Sequence, residues 1–294
     1  MKNKTIGEAL QRASFCLEQA GLEEPRTEAE ILLAHLMETD RLQLLLYRTD
    51  EIPPATDTAF NEAVSRRSKG EPSAYITGMK HFYGNRFSVN RKVLIPRPET
   101  ELIIESALQW VELTRDKFNG QINCLDLGTG SGILAVTLAL NLPGAAVWAV
   151  DLSKAALETA KKNAEALKVK DRICFLEGSY FEAFAHIEPE VLFNLIVSNP
   201  PYIKNNDLAT LPVEVKDYEP VEALNGGEDG LDGYRAILSD LPHFIETPAL
   251  LLFEIGDGRQ IEVEGLCAQT GLFRSVTWRY DLAGHPRVFE GQLK

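Results

Sequence analysis

The chain is poor in the residues from which metal centres, disulfide frameworks and acid–base relays are built. Its 294 residues include only four cysteines and five histidines. Cys16, Cys124, Cys174 and Cys267 lie far apart and form no Cys-x-x-Cys pair. This argues against a metal site or a disulfide scaffold and fits reduced thiols of a cytoplasmic protein. Long hydrophobic runs are missing too. No stretch of about 18 apolar residues occurs, so no membrane-spanning helix and no membrane partner is expected. The amino terminus has no continuous apolar core of the kind a signal peptide carries. Positive charge is scarce: 30 Lys and Arg stand against 43 Asp and Glu, giving a net charge of −13. Such a surface does not capture a phosphate backbone by general attraction, so direct nucleic-acid binding is not expected without a local basic patch. No internal repeat or low-complexity segment is present. What remains is 45% apolar and 25% charged, enough to fold one large or two modest cores.

One stretch carries the most chemistry. Phe193-Asn194-Leu195-Ile196-Val197 reads as a buried strand, and Ser198-Asn199-Pro200-Pro201-Tyr202 follows it. Two consecutive prolines have no N–H to donate to a ladder, so the chain must leave the sheet there as a stiff, extended turn. Asn199 would then sit at the carboxyl end of a strand, where open α/β sheets bind ligands. Its side-chain oxygen and the Pro200 carbonyl can each accept a hydrogen from a planar –NH2 group, with Tyr202 packing on the flat substrate. A bare Asn-Pro after a strand is more often a simple turn. The full Asn-Pro-Pro-Tyr word, in a chain that also has a nucleotide-type glycine loop, points to methyl transfer onto an amino nitrogen conjugated to a π-system.

Residues 1 to about 75 read as helices. Thr5-Ile6-Gly7-Glu8 and Thr27-Glu28-Ala29-Glu30 have capping-box spacing, the first helix should stop at Gly21, and a fourth should stop at Gly70. This bundle either recognises a partner or serves as scaffold. From Ala74 the pattern turns to strands, with a hairpin turning at Gly84-Asn85. An extended segment, Val93 to Glu101, then feeds a helix from about Glu99 to Thr114, and a polar break is expected at 115–120. Beyond it strands and helices alternate, as in a doubly wound sheet. Strands are expected at Ile122–Leu127, Ala146–Asp151, Ile173–Leu176, Leu192–Val197 and Leu250–Ile255. Helices are expected at Ile133–Asn141, Lys154–Leu167, Gly233–Phe244 and Gln260–Thr270, followed by two last strands at Val276–Leu282 and Arg287–Gly291. The long stretch from Ile203 to Asp232 has few such signals and reads as a rim or lid.

Between the first strand of the sheet and its helix lies Asp126-Leu127-Gly128-Thr129-Gly130-Ser131-Gly132. The glycines allow a sharp turn and close approach of a ligand beside a helix amino terminus. The residue after Gly132 is Ile133, so the spacing is Gly-x-Gly-x-Gly and departs from the dinucleotide fingerprint. It resembles the loop that binds S-adenosylmethionine. Asp126 would face that ligand's ammonium or cap the helix. Asp151 would accept the two ribose hydroxyls or cap the helix after it. Tyr180 would stack on adenine or close the core.

Several further words coincide: Leu94-Ile95-Pro96-Arg97-Pro98-Glu99-Thr100-Glu101, Tyr218-Glu219-Pro220, Gly226-Gly227-Glu228-Asp229-Gly230-Leu231 and Asp281-Leu282-Ala283-Gly284. Together with the glycine loop and Asn199–Tyr202 they resemble the HemK/PrmC family, glutamine-N5 methyltransferases of peptide-chain release factors. The resemblance runs over essentially the whole chain. It implies a class I methyltransferase, Rossmann-like with a mixed seven-stranded sheet, at residues 97–294. A small all-α substrate-recognition bundle at 1–75 and a β-hairpin linker at 76–96 would precede it. It implies S-adenosylmethionine held by Gly128, Thr129, Gly130, Ser131, Gly132, Asp151, Tyr180 and Asn199. The substrate glutamine would meet Asn199, Pro200, Pro201 and Tyr202, with Asn199, Pro200 and Tyr202 as the catalytic set and no metal. Class I release factors are then the partners of a cytoplasmic monomer. One departure is visible, since many relatives carry Asp-Trp where this chain has Ser179-Tyr180. The nearest rival is an adenine or cytosine amino-methyltransferase acting on DNA or RNA, which would need base flipping and a basic channel.

Overall fold

A computed structural model describes residues 4–118, 121–187 and 191–294. The chain divides into two compact units. One runs to Met79 and takes in Pro212–Tyr218; the other comprises Lys80–Leu211 and Glu219–Lys294.

The first unit is helical, with α1 (Ile6–Gln19), α2 (Pro25–Leu36), α3 (Arg41–Leu46), α4 (Pro54–Arg67) and α5 (Ser73–Thr77). The capping box at α1 forms: Glu8 N–H donates to Thr5 Oγ1 at 3.2 Å, and Thr5 N–H to Glu8 Oε2 at 2.9 Å. Gly21 ends the helix at φ 83°. The second box, at Thr27 and Glu30, does not form. Pro25 occupies the first turn of α2, where its missing N–H costs nothing, so the helix starts upstream of Thr27. Glu30 is buried instead and accepts from Arg26 at 2.6 Å and Arg41 at 2.9 Å. Leu10, Leu17, Leu32, Leu33, Leu44 and Phe60 fill the centre. Arg67, also buried, pairs with Glu28 and with Glu214 of the returning segment, both at 2.9 Å.

The second unit opens with a hairpin, β1 (Met79–Phe82) and β2 (Asn85–Ser88). Its turn is Tyr83-Gly84, one residue earlier than the spacing predicts. Both turn residues are left-handed, at φ 46° and 74°, as a two-residue hairpin turn requires. Asn85 joins the strand, and its side chain donates back to the Tyr83 carbonyl at 2.9 Å. The region just upstream, expected to be extended from Ala74, forms α5 and ends at Gly78 with φ 70°. A 3-10 turn at Pro98–Thr100 leads into α6 (Glu101–Thr114). Another turn covers Arg115–Lys117, where a polar break was expected; residues 119 and 120 of that break lie outside the described residues.

Then come β3 (Asn123–Leu127), α7 (Ile133–Asn141), β4 (Ala146–Asp151), α8 (Lys154–Ala166), β5 (Ile173–Glu177) and β6 (Phe193–Ser198). The chain next contributes α9 (Val213–Lys216) to the first unit. It resumes with α10 (Asp232–Asp240), β7 (Ile245–Glu254), α11 (Gln260–Thr270), β8 (Phe273–Tyr280) and β9 (Pro286–Leu293). α10 stops short of Phe244 because a helix continued through Pro242 would clash with the carbonyl one turn back. β7 begins before Leu250, since Ile245 already pairs with Phe193.

These strands make one seven-stranded mixed sheet in the order β5-β4-β3-β6-β7-β9-β8. β9 runs antiparallel to both its neighbours and the rest are parallel. All six residues of β6 are buried, which is why its sequence is a nearly continuous apolar run. Leu195 and Val197 join α6, α7 and α8 in one core, while Ile196 faces α10 and α11 in the other. The order reverses at β3 and β6, so the carboxyl ends of those two strands form the switch point where such sheets take ligands.

Asn163 on α8 ties the hairpin to the glycine loop. It accepts from Ser88 N–H at 2.7 Å and donates to the carbonyls of Ser88 at 3.0 Å and Ser131 at 2.8 Å. It is 1% exposed, so Asn163→Ala removes three hydrogen bonds and leaves the buried Ser131 carbonyl without this donor. The substitution should lower unfolding free energy by about 2–4 kcal/mol. Urea denaturation checks this, and an unchanged midpoint would contradict it.

Candidate active site at the strand ends

The glycine loop follows β3. Gly128, Gly130 and Gly132 all take positive φ, at 77°, 57° and 83°. Gly128 and Thr129 both donate to the Val150 carbonyl at 2.9 Å, which pins the loop across β4. The glycines differ in what lies beside them. A Cβ on Gly132 would come within 2.9 Å of the Ala160 methyl, so this glycine is needed for helix packing. Beside Gly128 and Gly130 the space is open, with nothing within 4 Å of an added Cβ. That opening suits a ligand laid against the loop backbone.

Asp126 is fully buried. One carboxylate oxygen accepts from Thr129 Oγ1 at 2.6 Å and from the Ala135 N–H at 3.0 Å, so it does serve the first turn of α7. Its other oxygen is buried and, among the described residues, unpartnered. Burial, reinforced by Asp151 nearby, pushes its pKa up to about 7 against the hydrogen bonds that lower it. An unpartnered carboxylate oxygen beside an open loop fits a cationic ligand group. Asp151, at the end of β4, does not cap α8, because Ser153 does so by accepting from Ala156 N–H at 3.3 Å. Asp151 accepts instead from Gly130 N–H and Ser153 N–H, each at 2.8 Å. It lies within electrostatic reach of Tyr180, whose hydroxyl is raised to about 12, mainly by burial. The donor set as a whole fits S-adenosylmethionine.

Asn199-Pro200-Pro201-Tyr202 leaves β6 on the adjacent strand end. Ser198 donates its hydroxyl to the Leu127 carbonyl at 2.7 Å, so this turn is bonded to the strand that carries the glycine loop. The Asn199 side chain hydrogen-bonds the Glu254 carboxylate. Pro200 is buried against Gly233 at the start of α10: a Cβ there would meet Pro200 Cβ at 2.9 Å and the Tyr180 hydroxyl at 2.7 Å. Gly256 admits the Tyr202 ring, and Gly226 the backbone at Pro201 and Tyr202. The glycines between Gly226 and Gly233 are therefore close-approach positions that let the rim fold down. Rather than standing as an open loop, that rim is bonded to the turn through Ile203 N–H to the Leu224 carbonyl and Gly226 N–H to the Ile203 carbonyl. Tyr202 is raised to about 12, chiefly by burial and next by Glu254.

Ser198, Arg97, Thr100 and Glu219 stand in words the sequence singles out without a role of their own, while Gly233 and Glu254 escaped the sequence pattern. Arg97 pairs with buried Glu219, which also accepts from Ile95 N–H at 3.2 Å. Thr100 donates to Glu254 Oε2 at 2.5 Å. These two acids draw the Ile95–Thr100 segment to the strand ends. A carboxylate at the end of the apolar run Leu250–Phe253 was the one signal that could have exposed Glu254.

The glycine loop, the acid after β4 and the amide turn after β6 on a seven-stranded mixed sheet define a class I S-adenosylmethionine-dependent methyltransferase. Two family models match the chain, the PrmC N-terminal domain at residues 8–78 and the methyltransferase small domain at 107–214. Among its relatives, release factor glutamine methyltransferase from Bacillus anthracis is 37% identical, over 98% of this chain and 99% of that one. The protein of that name from Cereibacter sphaeroides is 41% identical over 97% and 98%, and that from Neisseria gonorrhoeae 41% over 91% and 93%. The chain belongs to the release factor glutamine methyltransferase family. In fold it resembles the METTL16 methyltransferase domain, with a TM-score of 0.51 at 15% identity over 85% of both chains. A Pyrococcus furiosus methyltransferase gives 0.50 at 17% identity over 73% of this chain and 92% of that one. Among the described residues no helix is long and apolar enough to cross a membrane, and no cluster could hold a metal ion.

Burial raises the Glu254 carboxyl to about 7 from an ordinary 4.5, against the lowering hydrogen bonds of Thr100 and Asn199. A raised carboxyl stabilises the fold fully below its unfolded pKa and loses that contribution as pH rises through the folded value. The stability of the native chain relative to Glu254→Gln should therefore increase by about 2–3 kcal/mol on going from about pH 8 to about pH 5. Paired urea titrations check this; a difference independent of pH would contradict it.

Proposed function

We propose that this protein transfers a methyl group from S-adenosylmethionine to the side-chain amide nitrogen of the glutamine in the Gly-Gly-Gln loop of class I peptide-chain release factors. It does so as a cytoplasmic monomer that needs no direct contact with nucleic acid. Residues 1–75 serve substrate recognition, 76–96 are a hairpin linker, and 97–294 carry the chemistry. One observation carries the reading: the amide turn Asn199-Pro200 and the open glycine loop stand on adjacent strand ends, bonded through Ser198 and Leu127. Family membership supports the choice of acceptor, and the net charge of −13 weighs against the nucleic-acid rival.

S-adenosylmethionine supplies an electrophilic methyl group on a sulfonium. The backbone from Gly128 to Gly132 would hold its amino-acid end, Asp151 would accept its two ribose hydroxyls, and Tyr180 would stack on its adenine. The acceptor amide is a poor nucleophile because its lone pair is delocalised, so alignment is the main contribution, on the order of 7–11 kcal/mol for well-oriented pairs. Asn199 Oδ1 and the Pro200 carbonyl each accept one hydrogen of the –NH2 group, while Pro201 and Tyr202 shape the slot around it. As the nitrogen bonds to the methyl carbon, the carbon–sulfur bond would break and its electron pair leave with the sulfur as a neutral thioether. Positive charge grows on the nitrogen and both hydrogen bonds strengthen, which favours the transition state over the ground state. The nitrogen then loses a proton to water. No strong base is required.

Calorimetry and kinetics with a purified release factor test this. Asp151→Ala should weaken cofactor binding by about 1.5–3 kcal/mol. Asn199→Ala should slow turnover by about 10²–10³-fold with a smaller effect on cofactor affinity. Turnover on DNA or RNA with the release factor left unmethylated would move the assignment to the nucleic-acid enzymes.

A further inference from the structure

Glu254 is the last residue of β7, one step beyond Phe253, which pairs with Ser198. It therefore lies beside Asn199 across the ladder. Glu254 is 3% exposed, and its carboxylate receives two side-chain donors. Thr100 donates its hydroxyl to Oε2 at 2.5 Å, and Asn199 donates its side-chain amide. The main chain at this position is held as well, since the buried Tyr234 hydroxyl donates to the Glu254 carbonyl at 2.8 Å. Arg97 and Glu99 lie within electrostatic reach of the carboxyl.

A primary amide can rotate by half a turn and exchange its oxygen for its nitrogen at little cost, so neighbours decide which atom it presents. A carboxylate beside it offers lone pairs and takes the –NH2 end. We propose that Glu254 is a positioning residue: it holds the nitrogen of Asn199 so that the amide oxygen is the atom shown to the methyl acceptor. This rests on the acceptor reading above. Its consequence is selectivity for a donor. Two oxygens, Asn199 Oδ1 and the Pro200 carbonyl, then face the incoming group, and an –NH2 satisfies both. A glutamate carboxylate in the same place would meet two lone pairs and be turned away. Thr100 holds the same carboxylate through Oε2, which gives the Ile95–Glu101 segment a chemical task beyond linking.

The test is a double-mutant cycle with turnover read on a release factor. Glu254→Ala should lower kcat about tenfold to a hundredfold, the scale of a hydrogen bond to a charged group, and leave cofactor affinity by calorimetry within about twofold. Glu254→Gln, which keeps one acceptor oxygen for Asn199 while Thr100 turns to accept, should restore most of the loss. In an Asn199→Ala background, removing Glu254 should change kcat by less than about twofold. Equal losses in both backgrounds would overturn the proposal, because Glu254 would then act other than through Asn199. A second readout needs no acceptor. With nitrogen-15 in asparagine, the Asn199 side-chain –NH2 signals, identified by their absence in Asn199→Ala, should resist hydrogen exchange in the native chain and in Glu254→Gln. They should lose that resistance in Glu254→Ala. Fast exchange in the native chain would overturn the proposal. Slow exchange together with an unmethylated release factor would sustain Glu254's role and discard the acceptor reading instead.

Discussion

Everything at the site follows from a strand that cannot continue. β6 is buried along its whole length, and its sequence ends in two prolines that have no amide hydrogen for the ladder. The backbone must turn out at the carboxyl edge, and it does so beside the strand whose own exit is the glycine loop. Ser198, the last residue before the turn, bonds to Leu127, the last before the loop. The two exits are therefore fixed relative to one another by the rigid centre of the sheet, and no flexible loop has to bring them together. That rigidity matters for a reaction that gains mainly from alignment, because a displacement of an ångström at either exit would be felt directly in the rate.

Around this pair the protein concentrates buried acids. Asp126, Glu219 and Glu254 are all within a few per cent of full burial, and Asp151 is partly covered. Each has a distinct partner set. Glu219 is matched by Arg97, Glu254 takes Thr100 and Asn199, Asp151 takes two backbone amides, and Asp126 keeps one oxygen unpartnered among the described residues. Burial raises the cost of ionisation, as the elevated Asp126 and Glu254 show, with Asp151 adding to the first and Glu99 to the second. Cationic and hydrogen-rich ligand groups relieve that cost, which is the electrostatic character a sulfonium donor with an ammonium tail calls for.

Much of this was legible in the residues. Apolar runs and punctuation placed α7, α11 and β4 at their observed bounds, the alternation of strands and helices predicted a doubly wound sheet, and the family resemblance implied that it is mixed. What periodicity could not supply was competition between local signals. Thr27 and Glu30 have perfect capping spacing, yet Pro25 starts the helix first. Asn85 looks like a turn residue, but Gly84 is better used as the second turn position. Contacts distant in sequence were harder still. Asn163 reads as an ordinary helix residue until the fold brings Ser88 and Ser131 to it. Glu254 reads as the polar end of an apolar strand until Asn199 and Thr100 arrive from distant stretches of the chain. Words such as Asn-Pro-Pro-Tyr announce the chemistry because their conformational restriction is local. The groups that aim them belong to the tertiary structure.

The most direct test of the central claim is to locate the transferred methyl group. A purified class I release factor, incubated with the protein and S-adenosylmethionine, would be digested and fragmented by mass spectrometry. The account predicts one added methyl on the side-chain nitrogen of the glutamine in the Gly-Gly-Gln loop. A methyl on any other residue, or none there while the enzyme turns over on another acceptor, would contradict it.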